Sequence, residues 1–253
     1  MRFHRRKIAK FLAALLSSRN TKLSLLLIGA IGAPTLAQPL EHSTAVQAVR
    51  FVGCPSDGQV GPRAAPKHGR TPQVPIKVAA LLNYYSVEGL GVLAPAGWHC
   101  MGGYGSSGSE IIVTPVTYRP GDKITGPVVA VTYEFGDTSG RVSVAAAIVR
   151  FFPTHRDFLV HVADLDPSYW SGHEKDVIVR RMSDIVEFKT PPYQQGWGTR
   201  ETLVPSSAAV EGIVKLVPGS DAPDLLTVRT RLPEKFSKLA PLIFAEAATH
   251  DGK

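Results

Sequence analysis

The sequence predicts an α+β fold: a mostly antiparallel sheet with several packed helices and one disulfide. Three observations lead there. Residues 128–135 and 225–232 alternate apolar and polar side chains, the period of a strand with one covered face. Residues 142–152 are apolar nearly all round, with Ala145, Ala146 and Ala147 in the middle, and alanine favours helix while being depleted in sheets. Cys54 and Cys100 are the only cysteines, and both follow a segment with the order of an export signal.

Residues 38–45 read as a short flexible lead-in and 44–52 as a first strand stopping at Gly53. From Cys54 to Pro75 the chain is crowded with Gly58, Gly61, Pro62, Pro66, Gly69 and Pro72, a density no helix survives, so 54–75 reads as one long loop. Pro75 suits the first position of a helix. Val78, Leu81, Leu82 and Tyr85 then recur at i, i+3, i+4 and i+7, which predicts a helix over 75–86. Extended pieces at 90–93 and 97–101 lead into a glycine-rich turn at 102–109, and 110–114 follows as a strand. In 128–135, Val129, Val131, Tyr133 and Phe135 share one face, opposite Ala130, Thr132 and Glu134. Pro153 stops the 142–152 helix, and Thr154 is placed to cap a second helix running to about Leu165.

The remainder reads as a meander at 176–180, 184–189, 210–217 and 225–232, with a turn at 218–223 joining the last two strands. In the last strand Leu226, Val228, Thr230 and Leu232 alternate with Thr227, Arg229 and Arg231, which predicts a wet face. Beyond Pro233, apolar residues at 236, 239, 240, 243, 244 and 247 fit one helical face that Pro241 interrupts, so a kink or two short helices are expected. There is no internal repeat, heptad pattern or long single-sign charge run, and 38–253 is expected to form a single domain.

Arg2, Arg5, Arg6, Lys7 and Lys10 open the chain, the apolar run 23–33 follows, and Thr35 and Ala37 then stand at the −3 and −1 positions of a cleavage site. A signal peptide over 1–37, removed after Ala37, is expected. It implies a periplasmic or secreted protein that meets the membrane only in transit. The apolar run is shorter than the roughly 20 residues of a membrane span, and no cysteine follows the cut to carry a lipid. Arg5-Arg6-Lys7 leaves twin-arginine export open beside the general route. Seven of the 28 Lys and Arg and none of the 21 Asp and Glu fall in 1–37, so the rest carries 21 of each and the formal charge of +7 belongs to the leader. A phosphate-tracking surface needs a basic excess, so nucleic acid is not an expected partner.

In an oxidising compartment Cys54 and Cys100 are expected to pair. A zinc site built from both thiolates and His99 lacks a fourth ligand at suitable spacing, so no metal or cofactor is expected. Ser106, Ser107 and Ser109 lack the flanking glycines of a nucleophile elbow, and no Gly-Lys-Ser/Thr follows to make a phosphate loop. Asp157, His161 and Asp164 share one helical stripe, which suits a cation or a poised histidine as well as a solvated flank. Asp57-Gly58 brings too few carboxylates for a calcium loop, and His173-Glu174 lacks the second histidine of a zinc-protease helix. Trp98, Trp170 and Trp197 stand beside or near glycine, and exposed aromatics on such loops stack on sugars or grip proteins. Trp98, Tyr104 and Trp197 are the binding candidates.

The phrases Gly53-Cys54-Pro55-Ser56-Asp57-Gly58-Gln59-Val60-Gly61-Pro62 and Gly97-Trp98-His99-Cys100-Met101-Gly102-Gly103-Tyr104-Gly105-Ser106-Ser107-Gly108-Ser109 resemble those of a family of uncharacterised exported bacterial proteins. Gly196-Trp197-Gly198-Thr199 and Arg231-Leu232-Pro233 belong to the same pattern. The resemblance spans most of the chain beyond the leader and implies an exported, family-specific fold, without an activity or catalytic residues. The functional expectation is a non-enzymatic envelope or secreted protein that binds an unknown protein or glycan partner through the Gly/Trp loops near the disulfide. A secreted hydrolase using His99 with Ser106, or Asp157 with His161, is the alternative, and the sequence leaves the enzyme question open.

Overall fold

The structure, a computed structural model, describes residues 45–162, 175–219 and 221–250, with the side chains of Val160 and His161 left aside. Strand outweighs helix, 40% to 19%, so the expected α+β class with a mostly antiparallel sheet gives way to a mostly-β fold with a mixed sheet. In chain order the elements are β1 (Val46–Ala48), β2 (Arg50–Gly53), β3 (Ser56–Gly58), β4 (Gln73–Pro75), the one-turn helix α1 (Ile76–Ala79), β5 (Leu82–Val87), β6 (Leu90–Pro95), β7 (His99–Gly105), β8 (Gly108–Thr114) and β9 (Val128–Glu134). There follow α2 (Arg141–Phe151), a 3-10 helix Arg156–Val162, β10 (Val177–Arg181), β11 (Ile185–Thr190), β12 (Val210–Val217), β13 (Asp224–Arg231), a 3-10 helix Glu234–Leu239 and α3 (Ala240–Ala247).

The main sheet runs β10-β11-β12-β13-β9-β8-β7-β3. Its pairs are antiparallel except at one edge, where β3 lies parallel to β7. A smaller sheet, β2-β5-β6, has β2 parallel to β5, and β1 pairs with β4. Both parallel contacts come from the region that reads as a loop and a helix. Arg63 bridges back to Ser56, so the stretch after Cys54 is a short folded arm with strands at both ends. Helix 75–86 reduces to α1. The spacing of Leu82 and Tyr85 fits a helix face, but Leu82, Tyr84, Tyr85 and Val87 are all buried in the middle strand of the small sheet. A strand covered on both sides loses the alternation that identifies it, and aromatic and β-branched residues then decide in favour of sheet. The first strand likewise divides at Val49 into β1 and β2, which join different sheets.

One face of the main sheet packs Ile111, Val113, Val129, Val131 and Val228 against Leu93 and Tyr84 of the small sheet and Ile243 of α3. On the other face, Val144, Ile148 and Phe151 of α2 meet Phe188, Val214, Leu225 and Trp197. Each large side chain fully buried this way stabilises by about 1.5–3 kcal/mol. Sandwiched between these layers, the wet face expected on β13 is dry: Thr227, Arg229 and Arg231 are 2, 4 and 3% exposed. The C-terminal expectation holds, since a 3-10 turn precedes α3 and Pro241 sits in the first turn of that helix. Among the described residues, no helix is long and apolar enough to cross a membrane. The expected leader over 1–37 and the end of the second predicted helix lie outside the described residues.

Candidate functional site

Cys54 and Cys100 are bonded, with Cα atoms 5.4 Å apart. The bridge sits where β3 begins to run beside β7, and the amide of Gly102 donates to the carbonyl of Pro55 at 2.8 Å. Because the two strands are parallel, the tie sets what lies further along both of them. Three residues on, Asp57 pairs with Gly103, Gly103 with Glu110, Glu110 with Thr132, and Thr132 with Thr227. Paired residues project from the same face, so these residues form one row across the sheet. Glu134 stands one step along, opposite Gly108.

The part of that row from Asp57 to Thr132 floors a cleft of about 400 Å³. Its lining includes Asp57, Glu110, Glu134 and Glu201 together with Tyr104 and Tyr118, and among the described residues no Lys, Arg or His contributes to it. Glycine makes the space. A Cβ on Gly103 would stand 2.8 Å from a carboxylate oxygen of Glu110. Gly108, at φ +146°, lets the hairpin close so tightly on β9 that a Cβ there would come within 1.9 Å of the Tyr133 carbonyl. The hairpin tip is tied down as well: Phe135 N–H donates to the Ser107 carbonyl at 3.0 Å, and the hydroxyls of Ser106 and Ser139 are 3.1 Å apart.

Burial raises the carboxyl of Glu110 above its ordinary range, opposed by Arg229 and reinforced by Glu201. Burial also raises Glu134, against a hydrogen bond from Ser143 and the charge of Arg200. Both groups therefore hold a proton more readily than a surface glutamate. Arg200 stacks over Trp197, 4.2 Å from the ring centroid, and burial lowers its pKa against the pull of Glu134 and Glu201. Arg229 donates to the Arg200 carbonyl at 3.3 Å and lies 3.9 Å from Glu201. Glu201 itself adopts φ +57°, an uncommon backbone state for a side-chain-bearing residue.

The outer wall is fixed from beneath. Arg231 donates to the carbonyls of Ile124, Gly126 and Val204, joining the segments 115–127 and 200–204. Ile124 N–H donates to Thr202 and Val204 N–H to Ile124, while the ammonium of Lys123 donates to the Glu201 carbonyl.

The residues singled out from sequence fall in several places. Tyr104 lines the cleft, with Arg63 over its ring at 3.9 Å and its hydroxyl donating to the Gly61 carbonyl, so it also clamps the arm after β3. Trp98 is half-buried and meets Phe236 edge-on at 6.3 Å. Trp197 is 1% exposed, with its amide donating to Asp176 at 2.8 Å, and packs in the core under Arg200. His99 is exposed at the start of β7, whereas the Ser106 hydroxyl meets Gln59 and Ser139, so the serine and histidine are not brought together. Asp157 is exposed; the His161 side chain, Asp164, Trp170, His173 and Glu174 lie outside the described residues. Among the described residues, no group of three or more His, Cys, Asp or Glu is gathered to hold a metal ion.

Sequence reasoning missed Glu110, Glu134, Arg200, Glu201 and Arg229. The available signal was a pair of polar faces, Thr132 with Glu134 and Thr227 with Arg229, on two strands whose other faces are apolar. Comparison with protein-family models, with curated proteins and with solved structures finds no match to this chain.

Proposed function

We propose that the protein is an exported binding protein of the cell envelope, periplasmic or secreted, that takes a glycan into the cleft floored by Gly103. The observation that carries this reading is the lining: glycine backbone, tyrosine rings and four acidic residues, with no basic side chain. Sugar hydroxyl and amino groups donate to carboxylates, and glycine lets a ring approach the backbone closely. Phosphate and nucleic acid lack the cations they need here. The volume falls within the roughly 300–1,000 Å³ typical of ligand pockets. The disulfide suits an oxidising compartment outside the cytosol.

Titration calorimetry with soluble envelope glycan fragments tests it. Glu110→Ala is expected to weaken binding at least tenfold, with the denaturation midpoint retained. Equal affinity in wild type and variant, or binding only to protein fractions of the envelope, would remove the glycan from the cleft.

A second reading rests on a specific pair. Glu110, held toward its protonated form, faces the exposed Asp57 across Gly103, which is the arrangement of a general acid opposite a base. A hydrolase of this type would release reducing ends from the bound glycan and lose that activity in Glu110→Gln. Binding without turnover leaves the first reading alone.

A further inference from the structure

The arm between Arg63 and Pro72 lies over a hollow of about 470 Å³ that reaches Cys54, Ser86 and Val87. Its two ends are held differently. At Arg63 the backbone bridges to Ser56, the guanidinium covers Tyr104, and an ion pair reaches Glu88 at 3.0 Å. The middle of the arm leans on β2: a Cβ on Gly53 would meet the Pro66 carbonyl at 2.0 Å, and one on Gly69 would meet the Phe51 ring at 2.2 Å. At the far end, Arg70 reaches α3. Its Nη1 lies 2.9 Å from Oε1 of Glu246, and its Nη2 donates to the Thr249 hydroxyl at 3.2 Å.

Glu246 is an unusual anchor. Its side chain is only 7% exposed, and neither carboxylate oxygen has a partner in hydrogen-bond geometry, so the charge of Arg70 is its main compensation. The groups facing it are few. Tyr84 of β5 stands near both Arg70 and Glu246. Thr249 hydrogen-bonds back to the Glu246 carbonyl at 2.7 Å. Lys215 of β12 directs its ammonium to the carbonyls of Ala248 and His250, and the His250 ring meets the Gly89 carbonyl.

We propose that residues 64–71 form a strap over the hollow at the disulfide, hinged at Arg63 and latched by Arg70 on Glu246, and that mild acid opens the latch by neutralising Glu246. Burial pushes the Glu246 carboxyl up to about 7, with Arg70 opposing the rise, which sets the opening near neutrality. Arg70 is the group that opposes the rise, so with the latch open a Glu246 still covered beside Tyr84 holds its proton more strongly, and by linkage protonation favours the open strap while Arg70 loses its counter-ion. Acid therefore frees the strap without loosening α3. The inference stands apart from the glycan reading, since no residue lines both the hollow and the cleft.

The disulfide reports the state of the strap, because Cys54 lines the hollow beneath it. Reduction by tris(2-carboxyethyl)phosphine, which acts in acid and base, is followed by mass after thiol trapping. At pH 8.5, Glu246→Gln and Arg70→Gln are expected to reduce several-fold faster than wild type. At pH 5.5, wild type and Glu246→Gln are expected to match. Urea midpoints of the variants exclude general unfolding as the cause. A Glu246→Gln rate equal to wild type at pH 8.5, or a wild type that stays slower than Glu246→Gln at pH 5.5, overturns the latch.

Discussion

Replacing both cysteines by alanine is expected to destabilise the fold by about 4 kcal/mol. The bridge closes a loop with a sequence separation of 46. On the chain-entropy relation such a loop falls between the about 3 kcal/mol of a 15-residue loop and the about 4.7 of a 100-residue one, at about 4 kcal/mol. The native side adds a little, since Cys54 is 1% exposed and loses its sulfur contacts. Domains of this kind have about 5–15 kcal/mol in total, so the variant should fold but unfold at markedly lower denaturant. The assay is urea unfolding followed by tryptophan fluorescence, comparing oxidised wild type, reduced wild type and Cys54→Ala/Cys100→Ala. Reduced wild type and the double variant should lose similar amounts. A loss below about 1 kcal/mol would mean that the bridge does little to restrict the unfolded chain, and would refute the entropic account. The same variant tests the site. With β3 held to β7 by only a short ladder, Asp57 should lose its place, so glycan affinity should fall even in buffers where the fold is intact.

Arg231→Ala removes the side-chain donor to the carbonyls of Ile124, Gly126 and Val204, of which the first keeps the Val204 N–H, and is expected to cost about 1–3 kcal/mol, whereas Arg231→Lys, keeping the charge but not the fork, should cost less; equal losses would show that the charge contributes nothing and the fork everything. Trp197→Ala is expected to cost about 3–5 kcal/mol by cavity formation, while Trp197→Phe should largely retain both stability and ligand affinity; a selective loss of affinity in Trp197→Phe would return that residue to the recognition surface. Folded Glu246 keeps its proton to about pH 7, whereas the unfolded chain releases it near 4.5. The fold thus binds more protons between those values, and its stability should decline as pH rises across that window and level off above it. Glu110 and Glu134 contribute a slope of the same sign. Urea midpoints from pH 4.5 to 8.5 should show a shallower decline in Glu246→Gln, and an unchanged slope would reject the assignment.

Legibility followed burial. Where local signals are strong the element is right: alternation gives the strand at 128–135, and alanine content with Pro153 as a stop gives the helix at 142–152. It fails at 75–86 because β5 is covered on both sides and paired with β2 far back in the chain, a contact no local window contains. The strands within 54–75 escape local reading for a related reason. Glycine and proline exclude helix there, but they do not exclude a three-residue parallel strand held by a disulfide. Arg229 and Arg231 read as solvent-facing because arginine is rarely buried, and their partners are backbone carbonyls that leave no mark on the sequence. The cleft was invisible for the same reason: Asp57, Glu110 and Glu134 come from three strands and meet only through register.

The wall that Arg231 anchors has a kinetic consequence. Segments stitched to one another by backbone bonds and held from below by a buried guanidinium have little freedom to swing open or shut. A ligand arriving at the cleft meets a preformed shape, so observed association rates should rise linearly with ligand concentration, without the plateau that a preceding opening step imposes. Discrimination between ligands should then appear in how long each one stays.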